Sequence, residues 1–308
     1  MDVKPASGRA YEIFDVFTGD ALSGNPLAIV HDAEGLDEKR MQAIAREFNL
    51  SETVFVMPAE KPIHTAAIRI FTPEYELPFA GHPTVGTAIA LAARRREGEN
   101  ADVLIALEEK IGVVRCGVGF SKKGAFAEFD LPRLAEKLDI EVEKEVAAAA
   151  LGVGTHEIGF ENHVPSVWSG GVPYLLIPVH NLITAAKISV DTVFVRENLP
   201  TVEGRQLPIY VYCRETRLFD SDFHARMFVT GGNHYEDPAT GSAVAAFAGA
   251  VHHFDKPVDG VVQLWIEQGM EMGRPSRIRL ELDIEKRRIA GARIGGSAVK
   301  VAEGVLFV

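Results

Sequence analysis

The chain has 308 residues, 47% of them hydrophobic and 24% charged, as in an ordinary globular protein long enough for about two domains. A formal net charge of −11 excludes the basic stripe that a nucleic-acid groove needs, so no nucleic-acid partner is expected. Two cysteines, Cys116 and Cys213, lie far apart and outside any CxxC pattern, which excludes a disulfide framework and a cysteine zinc site; free thiols suit a reducing cytosol.

The first residues, MDVKPASGRAYEIF, have no apolar core of signal-peptide length, and no run of about 18 apolar residues occurs, so no membrane partner and a cytoplasmic location are expected. YEIFDVF and LAIV read as strands on either side of the glycine-containing turn LSGNP. GLDEKRMQAIAREF predicts a helix with Met41, Ile44, Ala45 and Phe48 on one face, capped at its C-terminal end by Asn49. Glu52 then sits on a helix-to-strand turn, just ahead of the apolar run TVFVM. A carboxylate there either stays solvated or loses hydration and gains a raised pKa, which suits proton transfer. After the strand AAIRIF comes the helix GHPTVGTAIALAARRR from Gly81, and the strands DVLIALEE, IGVVRCGV and AFAEFDL close the first 131 residues. SKKG breaks the strand pattern and sets a boundary, giving an N-terminal half at 1–125 and a C-terminal half at 126–297. The tail GGSAVKVAEGVLFV reads as a glycine turn plus one or two strands, with residues 298–308 available to complete the N-terminal half.

A second Ala-rich helix, TGSAVAAFAGAVHHF, starts at Thr240. Both helices lack charge over their first turns, as expected of a helix that a sheet surrounds. Each follows a similar strand: Arg69 and Phe71 recur as Arg226 and Phe228, both at an offset of 157 (226 − 69 and 228 − 71). Short strands with one or two long helices per half predict an α+β fold of two similar halves. No GxGxxG follows a strand and no GxxxxGK[ST] occurs, so nucleotide binding has no support; no HExxH-like spacing supports a metal.

Polar groups gather beside glycines in LSGNP, NLSETVF, FAGHPT and EDPATGSA, and the last two open the Ala-rich helices. A helix N-terminus offers unpaired N–H groups and a positive dipole end, which suit a carboxylate or a developing enolate. Each residue also has a plain structural reading. Gly81 and Gly241 can serve tight turns, Ser242 can cap a helix, His82 can be a core histidine, and Asp237 before Pro238 can mark a helix start.

DVFTGDALSGNPLAIV, FNLSETVFV, IRIFTPEYELPFAGHPTVGTA, EDPATGSA, EQGMEMGRPSRI and GGSAVKVAEGVL, running from about residue 11 to 305, together resemble the PhzF family of isomerases. The resemblance implies the diaminopimelate epimerase fold, two halves each with a curved sheet around a central helix and an active site between them. It implies Glu52, His82 and Asp237 as catalytic residues, and Ser51, Gly81, Gly241 and Ser242 as substrate-binding ones. It further places Ala80 and Thr240 where racemases of this fold carry their cysteine pair, so a two-thiol mechanism is not expected. The activity implied is a cofactor-independent isomerase that moves a proton on a small carboxylate substrate, with no metal; an epimerase or lyase on the same site and a non-catalytic binding protein are the alternatives. A homodimer is the expected assembly. Specificity is expected from loop side chains such as Tyr75, Phe79, His163, Trp168 and Tyr235.

Overall fold

The computed structural model describes residues 8–95, 102–122, 124–231 and 234–308. Of the residues in the stretches above, residues 1–7, Arg96 and Lys123 lie outside them. The chain forms two compact units, residues 1–130 with 295–308, and residues 131–294.

The first unit holds β1 (Gly8–Val16), β2 (Asn25–Val30), α1 (Glu38–Phe48), β3 (Glu52–Met57), β4 (Ala66–Phe71), β5 (Glu76–Leu77), α2 (Gly81–Arg95), β6 (Val103–Glu109), β7 (Gly112–Ser121) and β8 (Gly124–Asp130). The Asp37 side chain accepts from Arg40 N at the start of α1, and Asn49 ends it in the left-handed region at φ 51°. Along the sheet, β2 pairs parallel with β3, β3 antiparallel with β4, β4 parallel with β6, and β6 antiparallel with β7. β7 pairs antiparallel with β8, with Ser121 opposite Gly124, so the two strands on either side of the expected boundary belong to one sheet.

The second unit holds β9 (Glu136–Leu138), α3 (Lys144–Leu151), β10 (Ser166–Ser169), β11 (Pro173–Pro178), α4 (Leu182–Lys187), α5 (Thr192–Asn198), β12 (Thr201–Val202), β13 (Arg205–Gln206), β14 (Ile209–Cys213), β15 (Phe223–Val229), β16 (Tyr235–Asp237), α6 (Gly241–Asp255), β17 (Gly260–Gln268) and β18 (Ser276–Glu285). Here β11 pairs parallel with β14, β14 antiparallel with β15, β15 parallel with β17, and β17 antiparallel with β18. That is the same series as in the first unit, and in each a long helix occupies the crossover of the second parallel pair. A parallel pair needs such a crossover, and a helix is its usual form.

Both crossover helices are enclosed by strands. α2 meets β1, β2, β3, β6, β7 and β8, and every residue from Gly81 to Ala92 is buried; α6 meets β9, β10, β11 and β18. At the closest approaches only glycine fits. A Cβ added to Gly249 of α6 would come within 2.4 Å of the buried Trp168 ring. The last strand, β19 (Arg288–Phe307), corrects one expectation: it runs straight through Gly295 and Gly296 with no turn there. Those glycines mark a close approach, since a Cβ on Gly296 would lie 2.3 Å from the Phe17 ring. The end of β19 pairs antiparallel with β1. No described helix is long and apolar enough to cross a membrane.

Candidate active site

The site residues of the first unit come from β3 and α2. The chain leaves α1 at Asn49, bends through Leu50 and Ser51, and enters β3 at Glu52, which lies opposite Leu27 of β2. Glu52 is thus the first residue of the strand, not a residue of the turn before it. Both faces of the strand are covered beyond this point, so Thr53, Val54 and Phe55 are fully buried, while the Glu52 side chain keeps 17% exposure.

His82 is the second residue of α2 and is buried; its Nδ1 lies 3.3 Å from Glu52 Oε2. Its Nε2 is buried without a protein hydrogen-bond partner. Burial holds the imidazole far below its ordinary value, at about 3, so it is neutral at working pH. The sequence brings these two groups together through the β2–β3 pairing and the packing of α2 on β2 and β3. Gly81, directly before His82, opens the helix and is buried, and no acidic side chain occupies the first turn.

In the second unit, Asp237 ends β16 and is buried. It accepts a hydrogen bond from Thr240 Oγ1, which in turn accepts from Gln268 Nε2 at 3.0 Å. Gln268 Nε2 also donates to Asp237 O at 2.8 Å, and Ser276 Oγ donates to Pro238 O at 2.6 Å. The EQGMEMGRPS segment therefore ties down the EDPATGS turn. Thr240 is the N-cap of α6 but gives it no side-chain cap bond, because its hydroxyl is turned to Asp237. Ser242 does not cap the helix either: its Oγ lies 2.7 Å from the Tyr174 hydroxyl. The first turn of α6, beginning at the buried Gly241, carries no acidic residue of its own, and the Asp237 carboxylate lies at its N-cap.

The strands that lead into these helices carry matching forks. Arg69 of β4 places Nε 2.7 Å and Nη2 2.5 Å from the two Glu76 oxygens. Arg226 of β15 places Nε and Nη2 each 2.8 Å from the two oxygens of Glu236, the residue before Asp237. Sequence reading found the arginines by their offset but not their partners, which sit seven and ten residues downstream.

Three of the side chains expected to set specificity, His163, Trp168 and Phe79, are buried instead. His163 is buried between Asp255 and the Tyr212 hydroxyl, and Trp168 lies on β10 against α6. Phe79 is buried edge-on to Phe129, while Tyr75 and Tyr235 are exposed. Cys116 and Cys213 are free and buried, and burial pushes Cys213 up to about 12 and Cys116 higher still. Among the described residues, Glu161, His163 and Asp255 bring ligand-type atoms within 4.8 Å of one another. Arg214 bonds both carboxylates, and both His163 nitrogens are engaged, so this cluster is already neutralised.

The family described as phenazine biosynthesis-like protein, PhzC-PhzF, matches residues 14–304. An uncharacterized isomerase of Mesorhizobium japonicum is 59% identical over 301 residues, covering 97% of this chain and 99% of the relative. The trans-2,3-dihydro-3-hydroxyanthranilate isomerase of Pseudomonas aeruginosa is 32% identical, covering 97% of this chain and 99% of that enzyme. Among solved structures, the PhzF-family phenazine biosynthesis protein of Bacillus anthracis superposes with a TM-score of 0.85 at 27% identity, covering 98% of this chain and 100% of that one. A hydroxyproline epimerase from Agrobacterium vitis, at 12% identity and a TM-score of 0.60 over 97% of this chain and 92% of that one, shares the fold alone.

Proposed function

The chain belongs to the PhzC-PhzF family and is an isomerase of that family, and on that premise we propose that it shifts a proton within a small carboxylate substrate with Glu52 as the single acid–base group. The observation that carries this reading is the Glu52–His82 pair: a strand-edge carboxylate 3.3 Å from a buried imidazole held neutral. With histidine neutral, one group of the pair exchanges a proton at working pH. The Glu52 carboxylate takes a proton from a substrate carbon, leaving its electron pair delocalised as an enolate or dienolate. The carboxylic acid so formed returns the proton to a different carbon as the double bond moves. Atoms and charge balance without an oxidant, a reductant or a second substrate, so the reaction as proposed needs no cofactor.

His82 orients the Glu52 carboxylate in this scheme, and Ser51 and Gly81 flank the pair. Asp237, fixed by Thr240, binds a polar substituent of the substrate, while Gly241 and Ser242 at the start of α6 take the substrate carboxylate. The substrate name borne by the Pseudomonas aeruginosa relative, trans-2,3-dihydro-3-hydroxyanthranilate, is the first compound to offer. We further expect a cytosolic homodimer.

The test is product analysis. Chelator-treated, dialysed protein is given that compound, and the product is examined for an isomer of unchanged mass. Conversion without added metal or cofactor is the expected result. Product that has lost water, or conversion that returns only with an added metal, contradicts the reading.

A further inference from the structure

Glu109 ends β6 and is 9% exposed. Its Oε1 lies 2.9 Å from Thr84 Oγ1, and its Oε2 is buried without a protein hydrogen-bond partner. Thr84, in the first turn of α2, also places Oγ1 2.8 Å from Ala80 O, the carbonyl just before Gly81 and His82. A threonine hydroxyl has one proton and cannot serve two acceptors at once.

A neutral carboxyl resolves the conflict. Glu109 donates to Thr84 Oγ1, and Thr84 passes its own proton to Ala80 O. An ionised Glu109 would draw the Thr84 proton to itself and release Ala80 O from the side chain. It would also hold a buried charge with one donor and an unmet second oxygen, a costly arrangement. The groups facing Glu109 do not offset that cost. Thr84 faces it from α2, and Cys116 from β7 is a thiol that burial keeps protonated. The neighbouring cation, Lys110, is turned to Glu76 at 2.5 Å. Burial pushes the Glu109 carboxyl up to about 8, against the pull of a bond from Thr84.

We propose that Glu109 is a positioning residue: a neutral carboxylic acid whose hydrogen bond, relayed by Thr84 to Ala80 O, holds the first turn of α2 and so places Gly81 and His82 for the reaction. This rests on the reading of His82 as the partner of Glu52, and its test has one arm that needs no activity. The ring signals of His82 are followed by NMR from pH 6 to 10 in the wild type, Glu109→Gln and Thr84→Val. His82 itself titrates at about 3, so any movement in that window reports a neighbour. The wild type should show one transition near pH 8. It should vanish in Glu109→Gln, whose amide still donates but does not titrate, and shrink in Thr84→Val, which lacks the relay. A wild type without a transition near pH 8, or one near pH 8 that survives in Glu109→Gln but not in Glu52→Gln, whose carboxylate lies 3.3 Å from His82, overturns the proposal.

The second arm is the pH profile of kcat. Glu109→Gln should keep the rate within about threefold of wild type and hold it above pH 8, while Glu109→Leu should lose about tenfold or more in kcat at unchanged KM. Equal kcat in Glu109→Leu and wild type refutes the positioning role. A wild type inactive on every carboxylate offered contradicts the proposed function instead, and the NMR arm still decides the protonation of Glu109.

Discussion

Replacing Glu236 by Gln probes the strand that delivers Asp237. Arg226 is 7% exposed, with Nη1 2.7 Å from Ala185 O, its other nitrogens on Glu236, and its guanidinium 4.8 Å from the Phe228 ring centroid. Glu236→Gln preserves shape but leaves a buried guanidinium facing a neutral amide. Stripping one partner from a buried ion pair costs about 3–5 kcal/mol. The Ala185 carbonyl remains and the Glu236 side chain is 17% exposed, which argues for the lower end, about 3 kcal/mol. Glu76→Gln in the matching fork should cost less, about 1–2 kcal/mol: Glu76 is only 6% exposed and also holds Lys110, but both cations can turn to water or another partner, Lys110 being 53% exposed and Arg69 23% exposed with Glu38 at 2.9 Å. Urea denaturation reads both, as a lowered midpoint at unchanged slope. The paired replacement Arg226→Met with Glu236→Leu should recover most of the loss, since apolar groups of similar volume can replace a buried pair. The reasoning is refuted if Glu236→Gln costs less than Glu76→Gln, or if the double replacement is no better than the single one.

A second expectation concerns pH and the buried His224 cluster. Burial pulls His224 down, but Glu267 at 2.8 Å and Glu271 at 3.3 Å more than offset it, so the imidazole ends above its ordinary 6.5. Burial likewise raises both carboxylates, and their bonds to His224 bring them below the usual 4.5. The histidine contribution is therefore present below pH 6.5 and lost as pH rises through its raised folded value. The carboxylate contribution is present above pH 4.5 and lost as pH falls. Denaturation midpoints for His224→Gln should lack the alkaline part of this slope; an unchanged slope would exclude the cluster as its source. Cys116 and Cys213, buried and shifted upward, should react with a thiol reagent only on unfolding, and rapid labelling of either in active protein would count against a thiol-free mechanism.

Local pattern made much of this architecture legible. The 3.6-residue spacing of Met41, Ile44 and Ala45 and the asparagine after them placed α1, and the charge-poor composition of α2 and α6 announced helices enclosed by strands. The Arg69 and Arg226 offset disclosed a repeat, and the same pairing series runs in each unit. Periodicity could not say what the Gly295–Gly296 pair does, because a turn and a close approach of Phe17 both demand the absent side chain. His163 and Trp168 were misread for a related reason: polar and aromatic side chains look loop-like until the buried partners that satisfy them, Asp255, Tyr212 and Ser166, are seen. Of the candidate site, residue types and their glycine neighbours were readable. The supporting shell was not, because Gln268, Ser276, Glu109 and Thr84 act through contacts distant in sequence.

The most direct test of the account is Glu52→Gln, with turnover and substrate binding measured separately on a carboxylate that the wild type converts. The amide keeps the size of the side chain and one acceptor but cannot take up and return a proton. The account predicts a folded variant with unchanged dissociation constant and kcat lowered by about 10² to 10⁴, the range for a lost general acid–base group. Retention of more than about a third of the wild-type rate would contradict it and make Glu52 a structural residue at the head of β3.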